Sequence, residues 1–211
     1  MKLLILADSH SKEMVPIMLR QSRQMEPPLP LEIFSVIRGR SIEIIRGDYR
    51  KKLADIRRFE PDHVLIHAGH NNMVRHEIYN RSPAFITAVV HMNFELAVEV
   101  RATFPNIKIF ISTLMPRVSS RLMSSHQATQ YNRLCKRFGQ HLMSNEKVHG
   151  YVTILNRPFW LRISLAEPNG ALLARDGLHA TDAGREILSE LWIASLIIRR
   201  WWLHVYVSCS E

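Results

Sequence analysis

Apolar residues recur along the chain in short unbroken runs, and each run ends in a polar segment. Lys2 to Ala7 is the first, ending at Asp8-Ser9-His10-Ser11. Mixed apolar and polar residues at helical spacing follow to about Gln24, until Pro27, Pro28 and Pro30 break the chain. Leu31 to Ile37 reads as a second strand, ending at Arg38-Gly39-Arg40-Ser41. Ile44 to Phe59 suits a helix with Ile45, Leu53 and Ile56 on its apolar side. His63 to Ala68 is a third strand, closed by the loop Gly69-His70-Asn71-Asn72. Pro83 opens a long helix through Phe104, and Asn106 to Thr113 is a fourth strand. Ser124 to Met143 forms an amphipathic helix, and Tyr151 to Leu155 a fifth strand. A loop rich in Pro, Asn and Gly leads to Asp176-Gly177-Leu178-His179. Thr181 or Asp182 then caps a last helix that runs to about Arg200.

Strands that alternate with helices predict an α/β fold with a mostly parallel sheet. Strands apolar at every position, not at every second one, predict a sheet covered on both faces. In such sheets the site lies outside the carboxyl ends of the strands. The segments around Ser9, Gly39 and Gly69 to Asn72 would therefore converge on one edge.

Composition adds bounds. The 211 residues, 46% hydrophobic and 22% charged, suit one soluble domain with a substantial core. We expect that domain over residues 1–200, with 201–211 as a tail, either disordered or, through Trp201 and Trp202, interfacial. The apolar start ends at Asp8, too soon for a signal core, and Leu191 to Ile198 is too short to span a bilayer. Two cysteines, Cys135 and Cys209, make neither a disulfide framework nor a zinc-ligand pair, and an intracellular, cytoplasmic setting fits them.

Charge changes the picture more. The 28 Lys and Arg against 19 Asp and Glu give a net +9, which attracts polyanions such as RNA or an anionic membrane. Arg38, Arg40, Arg46, Arg50, Lys51, Lys52, Arg57 and Arg58 form a local cluster. It reads either as a polyanion surface or as a solvated helix face, and the interleaved Glu43, Asp48 and Asp55 favour the second.

An acyl-transfer site needs a hydroxyl nucleophile, an imidazole base, a carboxylate to orient it, and donors for the oxyanion. Ser9 stands just past the first strand, where a helix N-terminus favours developing negative charge. Asp176 and His179, three apart before the last helix, can pair carboxylate with imidazole. Asn71 offers an amide donor, and Gly39 and Ser9 offer backbone N–H groups. Taken singly, Asp8-Ser9 is a helix cap and Asp176-Gly177 a turn; four such blocks in order make the joint reading the stronger one. His10, His67 and His70 also gather near this edge with Asp8 and His179, but their spacing matches no metal motif, and neither metal nor cofactor is expected. His67 reads as buried in its strand, with His10 and His70 lining the pocket.

These blocks resemble those of the SGNH (GDSL-like) hydrolases. Ala7-Asp8-Ser9-His10 is similar to the first block, usually Gly-Asp-Ser-Leu, and Gly39 to the glycine of the second. Gly69-His70-Asn71-Asn72 resembles Gly-x-Asn-Asp, and Asp176-Gly177-Leu178-His179 matches Asp-x-x-His. The resemblance implies a three-layer flavodoxin-like fold, with about five parallel strands in the order 2-1-3-4-5 flanked by helices. It implies hydrolysis of a small carboxylic ester, acetyl or short acyl, through an acyl-enzyme. Ser9 would be the nucleophile, His179 the base and Asp176 its orienting partner; Ser9, Gly39 and Asn71 would form the oxyanion hole. Ala7, His10 and Asn72 depart from the family's glycine, leucine and aspartate. Asn72 keeps the shape of the aspartate and can brace the loop by hydrogen bonds. More narrowly, the blocks and the basic charge are similar to the esterase domains of LINE-type retrotransposon first-reading-frame proteins, which implies RNA, membrane lipids and further copies of the chain as partners. The other reading is an SGNH-fold binding module for nucleic acid or anionic membrane.

Overall fold

The computed structural model describes residues 1–8, 11, 13–38, 41–74, 83–117, 119, 124–155 and 180–208. Five strands form one parallel sheet: β1 (Lys2–Asp8), β2 (Glu32–Arg38), β3 (His63–His67), β4 (Lys108–Ser112) and β5 (Val152–Leu155), in the order β2-β1-β3-β4-β5. This is the α/β architecture and the strand order that the resemblance implies. The order reverses direction between β1 and β3, so their carboxyl ends flank the crevice where such sheets bind ligands.

The central strands are apolar between their ends because each face meets helices. Leu4 and Leu6 of β1, Val64 and Ile66 of β3, and Ile109 and Ile111 of β4 pack on one side with Ile42, Ile45, Tyr49, Val89, Tyr131 and Phe138. These come from α2 (Ile42–Lys51), α5 (Pro83–Thr103) and α6 (Ser125–Glu146). Leu3, Ile5 and Ala7, with Leu65 and Phe110, pack on the other side against Met14, Met18, Leu188, Trp192 and Leu196. Those belong to α1 (Met14–Gln24) and the last helix, α7 (Asp182–Ser208). Pro16 sits in the first turn of α1, where its missing N–H would have had no helical acceptor.

Three elements differ from the sequence reading. The expected helix Ile44 to Phe59 is two helices, α2 and α3 (Leu53–Phe59), divided at Lys52, whose ψ of 8° leaves the helical range. The bend keeps Ile56 fully buried while Lys52 reaches over the Phe34 ring, 5.9 Å from its centroid. The expected loop after β3 is instead the short helix α4 (His70–Val74). The last helix continues past Arg200 to Ser208. Among the described residues, no helix is long and apolar enough to cross a membrane.

Candidate active site

The carboxyl ends of β1, β3 and β4 meet in a buried polar cluster. Asp8, the last residue of β1, is fully buried, and its Oδ2 takes the His70 backbone N–H at 3.2 Å and His70 Nδ1 at 3.0 Å. On the far side of the ring, His70 Nε2 accepts the Met115 backbone N–H at 2.8 Å. An imidazole nitrogen that accepts cannot carry a proton, so the proton sits on Nδ1 and is donated to the Asp8 carboxylate. A single neutral tautomer thus ties the end of β1 to the start of α4 and to the segment after β4. It fixes the chain one residue before Ser9.

The third block is built around Gly69, whose φ of +127° favours glycine; a Cβ there would also press Leu114 and Val89 at 3.4 Å. Its carbonyl accepts the Met73 N–H at 2.9 Å, which starts α4 directly after β3. Asn71 stands, half-buried, in that first turn. Asn72 carries out the bracing expected of it: Oδ1 accepts the Ile42 N–H at 3.0 Å and Nδ2 donates to Glu43 Oε2 at 3.1 Å. The second bond needs an amide, because an aspartate there would face Glu43 with like charge. Asn72 so holds the N-terminus of α2 against α4. Ala7 lies in extended strand, where alanine is unstrained.

His67, at the end of β3, is fully buried, as the sequence suggests. Its ring meets Trp192 edge-on at 5.1 Å and His70 at 4.9 Å, and among the described residues neither ring nitrogen has a hydrogen-bond partner. Burial pushes its pKa down to about 3, so it stays neutral. Trp192 donates to Ser112 Oγ at 3.3 Å, which closes this side of the cluster. Asp8, His67 and His70 each present a possible metal-ligand atom, all within 4.8 Å of one another. His70 is already bonded through both nitrogens, so a metal would have to displace Asp8 or the Met115 amide.

Of the sequence-derived site residues, Asn71 is placed at the converging edge. Ser9, Gly39, Asp176 and His179 lie outside the described residues, as does His10. The Asp8–His70 couple was not read from the sequence, which had His70 lining a pocket. The basic cluster is ion-paired in its helical part. Arg46 pairs with Glu95 and Glu99 of α5, Arg50 with Glu99, Lys51 with Asp48, and Arg58 with Asp55.

The couple makes a stability prediction. Asp8→Ala leaves a buried N–H and a buried imidazole donor without acceptor and is expected to cost about 3 kcal/mol. Asp8→Asn keeps one acceptor oxygen and is expected to cost about 1 kcal/mol. Urea unfolding of both variants checks this; a loss in Asp8→Ala no larger than in Asp8→Asn would contradict the assigned bonding.

The fold has solved counterparts. An acetyl xylan esterase superposes with a TM-score of 0.66 at 15% identity, covering 92% of this chain and 99% of its own. A GDSL-like lipase from Bacteroides thetaiotaomicron gives 0.67 at 14% identity, covering 94% and 88%. A lipase from a goat rumen metagenome gives 0.66 at 15% identity, covering 92% and 96%. The fold is that of the GDSL-like lipases and esterases. No family model matches the sequence, and no curated protein matches it. The likeness therefore lies in the path of the backbone, at identities where most side chains have changed. Within this GDSL-like fold, the end of β1 and the start of α4 carry the first and third sequence blocks to neighbouring positions, joined by the Asp8–His70 bond.

Proposed function

We propose that the chain is a serine esterase that hydrolyses small carboxylic esters, acetyl or short acyl. The observation that carries this reading is the Asp8–His70 bond. It holds the residue before Ser9 against the turn bearing Asn71, which supports a nucleophile and an oxyanion donor drawn from adjoining strand ends. The likeness in fold to an acetyl xylan esterase and to GDSL-like lipases supports the same reaction class.

In this reading Ser9 Oγ attacks the ester carbonyl while His179 Nε2 takes its proton. Asp176 accepts from His179 Nδ1 and stabilises the imidazolium. The carbonyl oxygen, now an anion, receives hydrogen bonds from the Ser9 and Gly39 backbone N–H groups and from Asn71 Nδ2. Collapse of the intermediate passes the proton to the leaving alcohol and leaves an acyl-Ser9. Water, activated by His179, then releases the acid and restores the serine. None of these steps calls for a metal.

Wild-type protein is expected to hydrolyse p-nitrophenyl acetate and to lose activity as the acyl chain lengthens. Absence of turnover on every chain length would overturn the esterase. The narrower likeness to retrotransposon first-reading-frame proteins rests on the sequence blocks and the basic charge, and none of the similar solved structures supports it. Association with RNA or anionic membrane rests on the net +9, and the pairing of Arg46 and Arg50 with Glu95 and Glu99 removes part of its local basis.

A further inference from the structure

Arg117 lies beyond the end of β4, two residues after the Met115 amide that holds His70. It is 3% exposed, yet among the described residues no carboxylate pairs with its guanidinium, and its Nε has no acceptor. A guanidinium keeps its charge when buried, and a buried charge without a partner is costly. Its guanidinium lies over the Tyr131 ring, 4.4 Å from the centroid. Such stacking engages the flat face of the guanidinium and leaves its in-plane N–H donors open.

Among the described residues, no titratable group makes an ion pair with it. Burial raises the Tyr131 phenol well above its usual pKa and pushes the Cys135 thiol up to about 12, so both stay neutral beside the cation. The Asp8 carboxylate is engaged by His70. The backbone at Arg117, by contrast, is firmly held: Asn132 Oδ1 accepts its N–H at 2.8 Å, and Asn132 Nδ2 donates to its carbonyl at 2.9 Å. The chain is fixed through the backbone, so the charged side chain is not what keeps this segment in place.

We propose that Arg117 is an anion-binding subsite at the edge of the esterase site, and that the natural substrate is an ester bearing a carboxylate or phosphoryl group. The substrate part of this inference rests on the esterase reading; the anion site does not. A planar fork of N–H donors matches two oxygens of either group, and in a site this dry the pairing is strong.

The test compares wild type with Arg117→Met, which keeps the apolar stem and removes the charge. Thermal unfolding is followed in inorganic phosphate and in succinate, each against chloride at equal ionic strength. Wild type is expected to gain a few degrees in Tm in one or both anions beyond chloride, as ligand linkage requires, and the variant to gain none. The larger response tells a phosphoryl from a carboxylate ligand. Without added anion, Arg117→Met is expected to be at least as stable as wild type, because it loses a buried charge that no carboxylate among the described residues pairs. No anion-specific gain in wild type, an equal gain in both proteins, or a variant much less stable without anion would each overturn the subsite. The readout does not pass through turnover. A wild type that responds to anions but cleaves no ester keeps the subsite and loses the esterase.

Discussion

Asp176→Asn is expected to lower kcat/KM on p-nitrophenyl acetate by about 10⁴-fold while leaving urea unfolding close to wild type. The size follows from the tautomer. In the proposed triad a carboxylate at this place only accepts, so it would hold the proton of His179 on Nδ1 and leave Nε2 bare for Ser9. An amide can donate instead, which stabilises the opposite tautomer and puts a proton where the base must be empty. It also withdraws the negative charge that offsets the imidazolium as the serine proton moves. The change is nearly isosteric, so packing is preserved. Steady-state kinetics on variant and wild type, with unfolding curves on the same samples, check it. A loss smaller than about tenfold in a cooperatively folded variant would take Asp176 out of the triad.

The sheet was legible in the sequence because its strands are buried on both faces. Leu3 to Ala7 and Val64 to His67 are each completely covered, so their apolar runs carry no polar interruption to confuse them with half-exposed strands. The helix α4 was not legible: five residues are too few to establish a period, and Gly69-His70-Asn71-Asn72 has the composition of a turn. Nor was the division at Lys52, since Ile45, Tyr49 and Ile56 keep helical spacing across the bend and all three are buried.

Pairings at long range were the harder part. The basic cluster could be read as a solvated face from its own interleaved acids, yet the acids that hold Arg46 and Arg50 are Glu95 and Glu99, about fifty residues away on another helix. Asp8 and His70 are 62 residues apart, and only the order of β1 beside β3 joins them. Arg117 looked like one basic residue among 28; its burial, which gives it meaning, is a property of the packed chain. Asn72 shows the reverse case. Its departure from the family's aspartate stood out in the sequence, and the Glu43 carboxylate beside it gives the reason an amide suits that position.

Hydrolysis of p-nitrophenyl acetate by wild type and Ser9→Ala, in parallel, tests the central claim most directly. The substitution removes only the hydroxyl. The proposed oxyanion donors, the backbone N–H groups at positions 9 and 39 and Asn71, are unchanged, so any turnover that needs no covalent intermediate would survive. The account predicts that turnover in Ser9→Ala falls by at least about 10⁴-fold, with the folded state unchanged. Equal turnover in the two proteins would contradict it and remove Ser9 as the nucleophile.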